Sequence, residues 1–386
     1  MSNERPIWTK SFISIAISNF FIFTVFYALL TLMPMYVLDL PGGTLTQAGL
    51  VTTIFLLSVI IVRPFSGIIL ERFGKKRMLV ISMFAFAVST FSYILTDDIM
   101  VLLILRFVHG ISFSLGTTVT IAIAANLVPT ERRGEGLGYF GMSMNLAIVA
   151  GPFIALTLQP IVSYRLIFML FGLVMIVGWI FGFLVKDPEG DGGIREKRRL
   201  AWSDLFEKKA IAISSVGIFV SFSYASIMSF ISLYAESIGL LKAAGYFFIV
   251  FAAGMLIVRP FTGRIFDTRG PNIVIIPSLI IYAFGMLVLS FTNSTWMLLL
   301  AGGLIGLGYG TLLPCFQTLA IQSTSPQRSA YATATFFTLF DTGIAVGSFS
   351  LGIAVSYIGY SNLYIAMGIF VLLIVGYYKM VMRQST

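Results

Sequence analysis

The sequence predicts an all-α membrane protein of twelve transmembrane helices, arranged as two pseudo-symmetric six-helix bundles. Three observations carry this. Of the 386 residues, 58% are hydrophobic and only 11% charged, where soluble domains run at about 45–50% and about 25%. Twelve apolar runs each reach the roughly 20 residues that a helix needs to cross ~30 Å of hydrocarbon. The last six runs repeat landmarks of the first six at a fixed offset. A mean hydropathy of +0.96 excludes a water-soluble globular domain, a disordered chain and a collagen-like fibre. The single Cys315 excludes a disulfide framework, and one cysteine with one histidine argues against a zinc site.

The first run, 11–38, is too long for a signal peptide and no small-residue cleavage site follows it. It carries Asn19, Thr24 and Tyr27 in an otherwise apolar stretch. The second, 46–70, contains Arg63-Pro64, and the third is 77–96. In the fourth, 99–128, Val101–Leu105 is apolar on consecutive positions, so a helix is expected rather than the alternating strand of a barrel. Arg106 and His109 are three apart and share a face of this helix with Phe113, Thr117 and Thr120. The fifth run, 133–159, holds Asn145 and Gly151-Pro152; the sixth is 163–185. Residues 186–209 are polar, Gly-rich and charged and read as a linker between an N-terminal half, 1–185, and a C-terminal half, 210–386. The seventh run, 210–236, carries Ser221, Tyr224 and Ser229. The eighth, 243–266, repeats the arginine–proline pair as Arg259-Pro260, and the ninth is 273–292. The tenth, 295–323, is glycine-rich and holds Gln317 and Gln322. Asp341 lies midway along the eleventh, 327–356. The twelfth, 361–380, includes the unbroken apolar string Val371–Val375.

The charges orient these runs. With both termini on the cytoplasmic side, twenty of the 25 basic residues fall in cytoplasmic segments. The outer segments then hold Arg165 and Lys242, and Arg63, Arg106 and Arg259 lie within spans. This is the positive-inside bias. The net charge of +9 therefore reflects topology. Nucleic acid is not an expected partner, and anionic lipid headgroups are.

Ile61-Val62-Arg63-Pro64-Phe65 recurs as Ile257-Val258-Arg259-Pro260-Phe261, an offset of 196. The same offset carries Gly110 to Gly306, Asn126 to Gln322, Arg132 to Arg328, Asn145 to Asp341 and Gly151 to Gly347. Parallel six-helix repeats around a midplane site describe secondary transporters.

Gly67-x-x-x-Glu71-Arg72-x-Gly74-Lys75-Lys76-Arg77 resembles the signature loop of the major facilitator superfamily, with a degenerate copy at Gly263-x-x-x-Asp267-x-Arg269-Gly270. Arg106-x-x-His109-Gly110 is similar to that family's Arg-x-x-Gln-Gly motif, with His109 in place of the usual Gln. Pro129-x-x-x-Arg133-Gly134 matches the loop between spans 4 and 5, and Gly151-Pro152 resembles, in part, the span-5 motif of proton-coupled drug exporters. Glu71 replaces the usual Asp; Ala147 and Ala155 stand where the exporter motif has glycines. The resemblance covers the whole chain and is strongest to the twelve-helix drug:proton antiporters. It implies the major facilitator fold. It also implies a conformational latch built from Gly67, Glu71, Arg72, Gly74, Lys75, Arg133 and Asp267, and ties Arg106 to proton coupling near a central cavity. For the loop cations, simple topogenic charge is the competing reading.

Asp341 is the one acidic residue deep in a predicted span. A carboxylate at that depth costs several kcal/mol unless paired, hydrated or protonated, so it reads as a proton carrier, a structurally paired Asp or a counter-charge for a cationic substrate. Arg106 is expected to meet a carboxylate, a carbonyl or water, with Asp341 a possible partner. His109 reads either as a group that titrates near neutral pH or as a neutral hydrogen-bonding stand-in for Gln. Asn19, Tyr27, Asn145, Tyr224 and Gln317 are expected to line the substrate cavity, with interhelical hydrogen bonding the alternative.

No Gly-x-x-x-x-Gly-Lys-Ser/Thr loop, nucleophile elbow or metal cluster is present, so no enzyme, no ATP-driven pump and no cofactor are expected. The expected function is proton-coupled export of small amphiphilic or drug-like molecules by alternating access. Partners are the small-molecule substrate, protons and lipids, in a monomer resident in a cell membrane, the bacterial plasma membrane by its compact loops. Export of one natural cargo such as a metallophore or lipid-like molecule, import of a small metabolite, and a non-transporting sensor stay open.

Overall fold

The computed structural model describes residues 6–129, 133–186, 206–324 and 328–385. Among them the chain is helical throughout. The helices are α1 (Lys10–Asp39), α2 (Leu45–Phe73), α3 (Lys75–Ser92, closed by a one-turn 3₁₀ segment Tyr93–Leu95), α4 (Ile99–Leu127), α5 (Arg133–Leu158), α6 (Tyr164–Leu184), α7 (Lys208–Ser237), α8 (Leu241–Arg269), α9 (Asn272–Ser290), α10 (Thr295–Gln322) and α11 (Ser329–Ser385). These eleven are long and apolar enough to cross a membrane. Where the sequence leads one to expect two final helices, α11 runs as one element of 57 residues interrupted at Gly359, whose φ of 76° and ψ of 169° are not helical. An unbroken helix of that length would extend about 85 Å, well over twice the hydrocarbon thickness.

Local chemistry sets the other boundaries. Gly74 ends α2 with φ 83°, and Gly270, its counterpart 196 residues on, ends α8 with φ 88°. Both corners need a backbone angle that residues with a Cβ avoid. Asp98 caps α4 by accepting from Val101 N at 2.9 Å, and Ser163 caps α6 through Leu166 N. At the other end of α6, Lys76 Nζ donates to the carbonyls of Gly182, Phe183 and Val185 at 2.6, 2.8 and 2.6 Å. An ammonium there satisfies orphan acceptors and complements the helix dipole.

Backbone contacts separate two compact units. One comprises the described residues of Met1–Leu29 and Leu57–Arg198; the other comprises those of Leu30–Leu56 and Arg199–Thr386. In the first, α3 packs against α4 and α6. In the second, α7 lies along α11, and α10 packs against α8 and α9. Helix α7 is the innermost element of that unit: Ser214, Ser221, Ser223, Ser226, Ser229 and Ser232 are fully buried on it. Three of these six hydroxyls are satisfied by carbonyls of their own helix one turn back, as at Ser214 to Ala210 O (2.7 Å) and Ser226 to Ser223 O (2.6 Å), and the other three meet groups on other helices. Large apolar side chains such as Ile104, Leu173 and Leu373 point outward, as suits a hydrocarbon surround.

The entry to α7 is pinned to α11. Glu207 N donates to Thr335 Oγ1 at 2.8 Å, and the Glu207 carboxylate pairs with Arg328, whose guanidinium also lies 5.0 Å from the Tyr331 ring centroid. The Arg328 hydrogen bond holds the Glu207 carboxyl below its usual range, against the opposing effect of burial. A carboxyl shifted this way contributes stability that is complete above its unfolded value near 4.5 and is lost as the pH falls through its lower folded value. Glu207→Gln is therefore expected to lower stability by roughly 1 kcal/mol at neutral pH, discounted because Arg328 is partly exposed. In thermal unfolding, wild type and variant should converge at acid pH; a gap that is constant with pH would refute the assignment.

Candidate functional site

In the first unit, the α4 face expected from the sequence is buried. Arg106 is 1% exposed and His109 fully buried. His109 Nδ1 lies 2.7 Å from the Tyr93 hydroxyl, and Nε2 lies 3.4 Å from Thr90 Oγ1. Its ring centroid is 4.0 Å from that of Phe86. Tyr93 and Arg106 lie near enough for the phenol and the guanidinium to interact electrostatically. Tyr93 stands in the 3₁₀ turn after α3, its ring 5.5 Å from Phe168 of α6. Arg106 belongs to the first unit and Asp341 to the second.

A second polar cluster surrounds Asn19. Its Nδ2 donates to Ser143 Oγ at 2.8 Å, and Thr120 Oγ1 donates to its Oδ1 at 2.9 Å. The amide thus ties α1 to α4 and α5. Tyr27 is half-buried, stacked on Phe23 at 6.1 Å. Gly151 brings α5 against α1 beside it: a Cβ at Gly151 would stand 2.5 Å from Thr24 O and 3.0 Å from Tyr27 Cβ. Pro152 follows within α5, where its missing N–H loosens one backbone bond. Asn145 is half-buried on the same helix.

Of the expected latch residues, Gly67, Arg72, Gly74 and Lys75 lie at the α2–α3 corner. Arg72 is exposed and Lys75 half-buried. A Cβ at Gly67 would meet nothing within 4 Å, so packing alone does not require that glycine. The side chains of Glu71, Arg133 and Asp267 lie outside the described residues, as do those of Arg259 and Arg132 and most of the 186–209 linker.

In the second unit, Tyr224 stacks on Tyr309 with centroids 3.8 Å apart and planes 13° off parallel. Phe251 and Tyr282 lie 6.2 and 5.8 Å from Tyr309, and Tyr282 shares a 3.1 Å hydrogen bond with Ser223. Four helices, α7 to α10, thus contribute rings to one cluster. Gln317 is half-buried on α10 and Asp341 half-buried on α11. Just after Asp341, α11 comes close to α7: a Cβ at Gly343 would fall on the Ser221 hydroxyl, and one at Gly347 would stand 2.7 Å from Phe222 O.

Sequence reasoning passed over Tyr93, Thr90 and Tyr309. Phe86, Thr90 and Tyr93 follow helical spacing along one face of α3, and Tyr309 sits between Gly308 and Gly310. Those were the available signals; which neighbour each meets depends on how the helices cross.

The comparisons agree with this architecture. An MFS-type transporter of Methanocaldococcus jannaschii is 27% identical over 338 residues, 85% of this chain and 87% of its own. The quinolone resistance protein NorA of Staphylococcus aureus is 23% identical over 361 residues, 91% of each. Among solved structures, the nucleoside transporter NupG superposes with a TM-score of 0.79 at 11% identity over 96% of this chain and 99% of its own. A bacterial homologue of the human lysosomal transporter Spinster gives 0.80 at 15% over 99% and 98%. The Major Facilitator Superfamily pattern matches residues 15–348 and again 217–383, the second match being the C-terminal half of the repeat. With the all-helical architecture, the paired glycine corners and these matches over nearly the whole length, the chain belongs to the Major Facilitator Superfamily, a family of membrane transporters and not of enzymes.

Proposed function

We propose that this transporter exports small amphiphilic compounds in exchange for protons, by alternating access across a cell membrane. Its twelve spans, counted with α11 divided at Gly359, form two six-helix halves, and both termini face the cytoplasm as the basic residues demand. The observation that carries export is whole-length similarity to a quinolone resistance protein, whereas the likeness to a nucleoside transporter is one of fold. The α1–α5 crossing at Gly151 supports it, because the glycine–proline pair there is the one that resembles the exporter motif.

In this reading Asp341 carries the proton and Arg106 modulates it. Tyr224 and Tyr309, buried and stacked on each other in this state, present ring faces to flat or cationic compounds when the helices move apart. Asn145, Tyr27 and Gln317 supply polar contacts, and the Gly74 corner belongs to a latch that breaks as the protein changes state. Substrate enters from the cytoplasm or the inner leaflet, and proton uptake from outside drives its release.

The test uses purified protein in sealed liposomes with an internal pH dye and a panel of amphiphilic cations, nucleosides and other small metabolites. Proton movement is expected on adding amphiphilic cations. Movement with nucleosides alone would overturn export of amphiphiles; binding without any proton movement would overturn proton coupling.

A further inference from the structure

We infer that the second unit holds a binding site for an anionic phospholipid, seated where the start of α7, the end of α10 and the end of α11 meet. The site takes from the proposed function only the side of the membrane, which makes the lipid one of the inner leaflet. It does not depend on proton coupling or on the transported compound.

A cavity of about 400 Å3 lies among the first turn of α7, the last turn of α10 and the last turns of α11. That volume is within the range of small-molecule sites. One wall is polar and carries Lys209, Gln322 and Ser323; the other is apolar, with Ala212, Ile213, Leu319 and Met382. Lys209 and Gln322 are exposed, whereas Ile213 is buried, so the charge stands at the mouth. The Ser323 hydroxyl donates to Ala320 O at 2.8 Å, which leaves the Lys209 ammonium and the Gln322 amide as the donors there. An ammonium beside an amide suits a phosphate.

The apolar wall continues out of the cavity. Ala212, Ser215 and Phe219 follow one another turn by turn along α7, and this face runs along α11. Ser215 shares a 2.8 Å hydrogen bond with the Tyr377 hydroxyl. Phe219 lies 5.3 Å from the Tyr377 ring and 5.9 Å from that of Phe370, and it is partly exposed. A phosphate held at Lys209 therefore has an apolar track beside it for an acyl chain. A bare phosphate would use the donors and leave that wall uncovered. A phosphatidylcholine head would bring a second cation to the lysine.

The repeat is broken at this corner. By the 196-residue offset, Met382 corresponds to Lys186. In the first unit the Lys186 N–H donates to Ser11 Oγ at 3.0 Å, and Ser11 is the second residue of α1. That hydrogen bond ties the end of α6 to the start of α1. In the second unit the second residue of α7 is Lys209, and Lys209 and Met382 both line the cavity. One half closes the junction with a hydrogen bond; the other opens it and adds a cation.

Purified full-length protein in detergent, titrated with phosphatidylglycerol or phosphatidylcholine and read by native mass spectrometry, tests this. The first phosphatidylglycerol should bind more tightly than the first phosphatidylcholine. Lys209→Gln should weaken it about fivefold, the share of one basic residue beside anionic lipid, and Lys209→Arg, which keeps the charge, should restore it. Ala212→Phe, which crowds the apolar wall and keeps every charge, should weaken it as well. Lys208→Gln, next in sequence but outside the lining, should bind as wild type. Equal losses in Lys208→Gln and Lys209→Gln would mean diffuse surface charge and overturn the site. So would wild-type affinity in Ala212→Phe, or no preference for phosphatidylglycerol. Displacement of bound phosphatidylglycerol by inorganic phosphate would make it a phosphate site and overturn the lipid. No proton movement is read in this assay, so failure of the proposed antiport leaves its outcome unchanged.

Discussion

Asp341→Asn should abolish transport driven by a pH gradient while leaving the protein folded and able to bind substrate. The two side chains have the same shape, and the amide still hydrogen-bonds; what it loses is the exchangeable proton. Each unit of pH difference supplies about 1.4 kcal/mol per proton carried, and a carrier without a titratable group gains none of it. The position suits such a test. Asp341 is half-buried on α11 just before two residues at which the helix comes hard against α7, Gly343 at Ser221 and Gly347 at Phe222. A change of one functional group there is not expected to disturb packing. In the pH-dye assay, gradient-driven flux should fall at least about tenfold, the change expected from losing one unit of driving force. Counterflow of labelled against unlabelled substrate, which needs no gradient, should persist. Retained coupling in the Asn variant would remove Asp341 as the carrier; loss of both activities with a lowered melting temperature would make it a structural residue.

The architecture was legible in the sequence because a bilayer leaves little choice. Runs of about 20 apolar residues have to become helices, and the 196-residue repeat reappears in backbone geometry at Gly74 and Gly270. The last boundary was legible as a gap after residue 356. In the folded chain it contracts to Gly359, with helix on both sides.

The candidate site was harder to read, for a physical reason. A polar residue in a span turns away from lipid whether it faces a cavity or another helix. Asn19 looked like a cavity residue, and its amide is engaged by Ser143 and Thr120. The i, i+3 pairing of Arg106 and His109 was visible. Tyr93, the partner of His109, was not, since it lies in a turn at the end of a different helix. Lys76 read as one more loop cation. Its three carbonyl partners close α6, more than a hundred residues away.

The second large effect is expected at Gly49. Within the second unit, the first three turns of α2 cross α11 in an antiparallel ladder. A Cβ at Gly352 would stand 2.9 Å from Leu45 O, and one at Gly49 would fall on the Ser348 carbonyl oxygen. Thr53 Oγ1 donates to Ala345 O at 2.7 Å. Positions 45, 49 and 53 are one turn apart on one face, so backbones approach along a continuous seam that no larger side chain at 49 can enter. Leucine there would need its own atoms where α11 has backbone, which cannot yield as a flexible side-chain tip would. If transport alternates between states, the one with this seam closed is lost, and Gly49→Leu should reduce flux by at least about tenfold, the effect of a penalty of only about 1.4 kcal/mol. The seam can be read directly. Thr52, fully buried on the seam face, can be replaced by cysteine in a Cys315→Ala background. The thiol should resist a membrane-impermeant maleimide in the parent and react in Gly49→Leu. Gly376→Leu, where a Cβ would meet nothing within 4 Å, should alter neither flux nor labelling. An unreactive thiol together with normal flux in Gly49→Leu would mean that α2 and α11 tolerate separation, and that the seam gates nothing.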